Sequence, residues 1–108
     1  MTMTDTAITY QKLTLVCPEE LAERLVDLLL DTKTRMTGFT TTKADGHGQD
    51  FTSASARERV RGRVARRAVV AVLPADDVPL LLDEIHAQIK NPHLAYWTEP
   101  VLAYGQLS

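Results

Sequence analysis

Apolar positions along the chain fall into blocks of two different periods. Thr9 to Val16 mixes β-branched and apolar residues as a strand does, and Pro18, Glu19 and Glu20 then supply a proline and two acids for a helical first turn. Leu21, Leu25 and Leu28 recur at i, i+4 and i+7 with Ala22, Val26 and Leu29 beside them, which predicts a core-facing helix from Pro18 to Asp31. Met36 to Ala44 is Thr-rich around Phe39 and reads as a second strand, closed by Asp45-Gly46-His47-Gly48. Gln49 to Gly62 holds no sustained apolar period and reads as a long loop. Val64 to Leu73 is the clearest strand, because Val69, Val70, Ala71, Val72 and Leu73 are apolar without alternation, as in a strand covered on both faces. Asp76 and Asp77 are placed to cap a second helix with Pro79 in its first turn. Leu81, Leu82, Ile85 and Ile89 give that helix an apolar face, and Asn91-Pro92 stops it. Leu94 to Tyr104 reads as a last strand, interrupted at Pro100.

The order β-α-β-β-α-β predicts one α+β domain over 1–108. Its pattern is ferredoxin-like: an antiparallel sheet with two helices on one face and a long connection between strands 2 and 3. Two helices cover only one sheet face. An apolar third strand then needs a second cover, and in a chain of 108 residues the expected cover is another copy of itself.

Composition adds limits. Hydrophobic residues at 44% and charged residues at 24% suit a folded globular domain. The longest apolar run, Ala68 to Leu73, is far short of a bilayer span, and Met1 to Ala7 is polar with Asp5 where a secretory signal would be basic then apolar. The chain is therefore expected to be cytoplasmic and not membrane-embedded. Cys17, the single cysteine, has no internal disulfide partner. Net charge is −2, but six arginines (57, 59, 61, 63, 66 and 67) less Glu58 put +5 on residues 57–67 and leave −7 elsewhere. That balance argues against a nucleic-acid binder and for one anion-facing or acid-facing surface.

Within that order, Gly38-Phe39-Thr40, Asp45-Gly46-His47-Gly48-Gln49 and Glu58-Arg59-Val60-Arg61-Gly62 resemble the PII signalling proteins, and Glu99-Pro100-Val101 is similar to their terminal strand. The Asp-Gly-His-Gly turn and the Val-Arg-Gly-Arg segment resemble a PII-like branch associated with heavy-metal efflux gene clusters. The resemblance implies a homotrimer whose T-loop, here about Ala44 to Arg63, binds an effector or meets a partner protein such as a membrane transporter or efflux component. Two departures qualify it. Lys90-Asn91-Pro92-His93 stands where the family has a glycine-rich phosphate loop, so ATP held in the usual PII manner is not expected. Val60 stands at the tyrosine that some PII proteins have uridylylated.

The candidate ligand-binding residues are Gly46, His47, Gly48 and Gln49, where two glycines free backbone amides to converge on an anion, together with Arg61 and Arg63, which alternation puts on one side of an extended chain. The candidate effectors are a nucleotide or a divalent metal, with His47 as the metal ligand. A metal-tolerance protein of CutA-like architecture is the alternative function. Metal ligation by His86, His93 or Cys17 has no close pair spacing behind it, and Cys17 reads as a small buried hydrophobe. No nucleophile elbow, Walker A or zincin motif occurs, and no enzyme is expected. A dimeric α+β-barrel enzyme would need an apolar pocket between sheet and helices. An RNA platform would need stacking aromatics, which the third strand lacks.

Overall fold

The structure, a computed structural model, describes residues 8–47 and 64–107. Strand β1 (Tyr10–Pro18) leads through a 3-10 turn at Glu19–Leu21 into helix α1 (Ala22–Leu30). Strand β2 (Thr40–Gly46) and strand β3 (Val64–Pro74) follow, then a second 3-10 turn at Ala75–Asp77, helix α2 (Val78–Gln88) and strand β4 (Ala95–Val101). All pairings are antiparallel and the sheet order is β2-β3-β1-β4, the arrangement expected of a ferredoxin-like βαββαβ chain.

Residue parity sorts the sheet into two faces. Leu13, Leu15 and Cys17 of β1 and Val69, Ala71 and Leu73 of β3 are all buried, and the register pairs Leu13 with Ala71 and Leu15 with Val69. They form one core with Leu25, Leu28 and Leu29 of α1 and Val78, Leu81 and Ile85 of α2. Both helices therefore lie on this face. Arg24 of α1 donates to the carbonyl of Gln88, filling an otherwise unused acceptor in the last turn of α2 and tying the two helices side by side.

Among the described residues no helix lies on the opposite face. Along it run Val16 of β1 and Ala68, Val70 and Val72 of β3, all half-buried, with Thr40 and Thr42 of β2 on one flank and Trp97 and Val101 of β4 on the other. Thr14, flanked across the ladder by Val70 and Trp97, is buried among them. Among the described residues this face is largely uncharged between the Lys12–Glu99 ion pair at 3.7 Å at one end and Arg66 at the other.

Several boundaries differ from those expected. Met36 to Phe39 is not strand: Met36 is a core side chain supplied by the α1–β2 loop, and β2 starts at Thr40. That loop is pinned to α2, since the Thr32 hydroxyl and the Lys33 amide donate to Glu84 (2.7 and 3.2 Å) and Arg35 donates to Asp77. Asp77 therefore does not cap α2 with its side chain, as its place in the sequence suggests; its carboxylate faces the loop instead. Asp45 and Gly46 continue β2 rather than turning, so the connection to β3 is 47–63 instead of beginning at Ala44. β4 runs through Pro100 to Val101 without interruption, because an edge strand paired only with β1 has a side where a missing N–H costs no ladder bond.

Candidate functional site

Three strands converge at one end of the sheet. β1 finishes at Pro18, β2 at Gly46, and β3 begins at Val64, which pairs with Gly46. Segment 47–63 therefore leaves and re-enters the sheet at a single point. The register sets Pro18, Ala44 and Arg66 in one row and Cys17, Lys43 and Arg67 in the next. By parity the second row lies on the helix side and Arg66 on the open side.

Arg67 reaches the first acid of the turn that follows β1, with its Nη2 2.5 Å from Glu19 Oε2. Glu19 and Glu20 of that turn, with Glu23 and Asp27 of α1, line a shallow cleft of about 460 Å3 beside this pair. Arg66 is only 1% exposed, so a permanently charged side chain is buried at the root of segment 47–63. Cys17, wholly buried in the adjacent row, has its thiol pushed up by burial and by Glu19, while Arg67 and Arg66 pull it down. Its environment suits a small core hydrophobe and not a nucleophile.

Of the residues singled out in the sequence, Gly46 and His47 stand here. Gly46 is the buried last residue of β2, and His47 is the exposed residue after it. Gly48, Gln49, Arg61 and Arg63 lie outside the described residues. Among the described residues no three His, Cys, Asp or Glu side chains converge as a metal site. The Arg67–Glu19 pair is not among the sequence candidates, although parity carries the signal: Arg67 shares the core-facing phase of Val69, Ala71 and Leu73 and so points under the start of the first helix.

At the same end of the sheet, on its β4 edge, the connection from α2 to β4 is a tight turn, since β4 begins at Ala95 opposite Val16. The His93 amide donates to Asn91 Oδ1 at 2.8 Å and the Leu94 amide to the Asn91 carbonyl at 3.1 Å, while Pro92 has no N–H. Ile89 donates back to Ile85. Four positions of a row that could cradle phosphate are thereby spent or missing: Pro92, His93 and Leu94 in the turn, and Ile89 before it across Lys90 and Asn91. This agrees with the lack of glycine in the run. Beside the turn, a second cleft of about 510 Å3 opens between α2 and β4, floored by Leu15, Ile85 and Ile89 and rimmed by His86, Lys90 and Tyr96.

No helix among the described residues is long and apolar enough to cross a membrane. No curated protein matches the chain. Among solved structures it is similar to a DUF3240 family protein from Shewanella baltica OS155, at 22% identity over 93% of this chain and 98% of that one, with a TM-score of 0.75. It is also similar to CPII, a nitrogen regulatory PII-like protein from Thiomonas intermedia K12 whose structure is bound to ADP, AMP and bicarbonate (17% identity, 92% and 97% coverage, TM-score 0.66). A third likeness is to a putative PII-like signalling protein from Thermus thermophilus (17% identity, 87% of each chain, TM-score 0.59). At these identities the shared property is the fold, a ferredoxin-like one that the PII-like proteins share, in line with the resemblance noted in the sequence. The model of the family described as "Protein of unknown function (DUF3240)" matches residues 7–108, and the chain belongs to that family.

Proposed function

We propose that the protein is a PII-like regulator: a homotrimer that binds a small anionic effector in clefts between subunits and signals to a partner protein through segment 47–63. The observation that carries this reading is the sheet face on which no helix among the described residues packs. Val16, Ala68, Val70 and Val72 form an apolar row there, in a fold whose helices are both spent on the other side. Sister copies packed on that face bring the root of segment 47–63, at Gly46 and Val64, next to a neighbouring chain.

The effector class follows from two observations. The α2–β4 turn spends the His93 and Leu94 amides on Asn91 and has none at Pro92, which speaks against a backbone cradle for a triphosphate there. CPII, with the same fold, is bound to ADP, AMP and bicarbonate. A nucleotide mono- or diphosphate, alone or with bicarbonate, fits these constraints best, held by side chains and by the Gly46-His47-Gly48-Gln49 stretch with Arg61 and Arg63. The partner would be a protein with an acidic surface facing the arginine-rich end of the segment, a membrane transport component being the case the resemblance suggests.

Isothermal titration of the full chain with AMP, ADP, ATP and bicarbonate separately tests this. Binding of AMP or ADP that weakens in Arg61→Ala and disappears in Val70→Asp, which removes the neighbouring subunit, is the expected result. Binding that survives dissociation to monomers contradicts a site between subunits, and no binding by any of the four contradicts the effector class.

A further inference from the structure

After β4 the chain continues as an extended segment, 102–107, whose two leucines are fully exposed, Leu102 at 102% and Leu107 at 105%. The same chain has an apolar cleft between α2 and the helix side of β4, floored by Leu15, Ile85 and Ile89 with Leu94 at its wall. Two uncompensated apolar surfaces of one molecule favour each other.

Geometry forbids them from meeting within one chain. Tyr104 packs against Tyr10, with ring centroids 5.2 Å apart and the planes tilted by 49°. Tyr10 pairs with Val101, at the far end of β4 from the cleft, where Tyr96 pairs with Leu15. From Val101 back to Tyr96 is about 16 Å along the strand, at roughly 3.3 Å per residue. The three residues after Tyr104 span at most about 11 Å. Leu107 of a chain that keeps its Tyr10–Tyr104 contact cannot enter its own cleft.

We infer that segment 102–107 of one copy seats Leu107 in the cleft between α2 and β4 of a second copy. The segment Leu-Ala-Tyr-Gly-Gln-Leu carries no charge, which suits an apolar floor. Two leucines are too small a contact to hold copies together unaided, so the arm adds to the larger sheet-face contact and rests on the self-association proposed above. Its effect is to clasp neighbours already in contact.

Intermolecular disulfide trapping tests it with the full chain. Leu107→Cys on a tagged chain is mixed under reductant with His86→Cys on an untagged chain, the His86 side chain being exposed on the cleft rim. The mixture is then oxidised with diamide. A tagged–untagged heterodimer is expected, with none when Leu30→Cys on the exposed side of α1 replaces His86→Cys. Native mass spectra of the same unoxidised mixture separate the failures: assembly without the heterodimer overturns the arm alone, and monomers overturn both the arm and the self-association. Leu107→Asp should also raise the concentration of half-dissociation by about tenfold, the loss of one buried leucine. An unchanged midpoint overturns the inference.

Discussion

Asp77 accepts three hydrogen bonds from Arg35: from the backbone N–H at 2.8 Å and from Nε and Nη2 at 3.0 Å each. One carboxylate thereby fastens the α1–β2 loop to the turn that starts α2. Those side-chain hydrogen bonds, and then the backbone one, hold the Asp77 carboxyl below the usual aspartate range. Its folded pKa lies below the unfolded value of about 3.9. The pair therefore contributes stability at all pH above that value, and the contribution is lost as pH falls through the folded pKa. Melting curves of wild type and Asp77→Asn from pH 7 to pH 2 should show a gap of several degrees that closes below about pH 4. A gap independent of pH would mean that the charge is irrelevant to the fastening.

Cys17 is expected to be inert in the folded chain. Burial keeps its thiol protonated, and its place in the core excludes reagents. Labelling by a maleimide or a disulfide reagent at pH 8 should be slower than in urea by on the order of a hundredfold or more, set by how seldom the sheet end opens. Arg67→Met removes a cation that favours the thiolate and should not speed the folded-state reaction. Fast labelling of the native protein would show this end of the sheet to be open.

Two leucines of α1 differ sharply in environment, Leu25 being fully buried and Leu30 72% exposed. Leu25→Ala should cost about 2–5 kcal/mol by urea unfolding at fixed protein concentration. Leu30→Ala should lie within about 0.5 kcal/mol of wild type. Equal effects would contradict the stripe of α1 that faces the core.

Much of this architecture was legible in the chain, and the reason is periodicity. Leu21, Leu25 and Leu28 could only share one helix face, and the unbroken apolar run of the third strand marked a strand apolar on both sides, with Val69, Ala71 and Leu73 toward the helices and Ala68, Val70 and Val72 on the other side. What stayed hidden depends on partners distant in sequence. Met36 beside the threonines reads as strand, yet its loop is held by Glu84 and Asp77, more than forty residues away. No local pattern announces such a tether. The same holds at the candidate site: the end of β2 at Gly46 is set by its pairing with Val64, and the role of Glu19 by Arg67. The glycines at 46 and 48 suggested a turn, but cross-strand pairing overrode local preference at the first of them.

Trp97 offers a direct view of the open sheet face. It lies there half-exposed, with Nε1 donating to Glu99 at 3.3 Å. If copies pack on this face, its emission should shift to the red as the protein is diluted. Val70→Asp, opposite Thr14 in the same row, should give the red-shifted spectrum at concentrations more than about tenfold higher. Emission unaffected by both dilution and substitution would place Trp97 outside any interface.

Native mass spectrometry of the full chain, with AMP, ADP, ATP, bicarbonate, Cu2+ and Zn2+ offered one at a time, reads subunit count and effector in one spectrum. The expected result is a trimer that takes up AMP or ADP with one molecule for each cleft between subunits. A monomer at micromolar concentration, or a trimer that retains only metal ions, would contradict it.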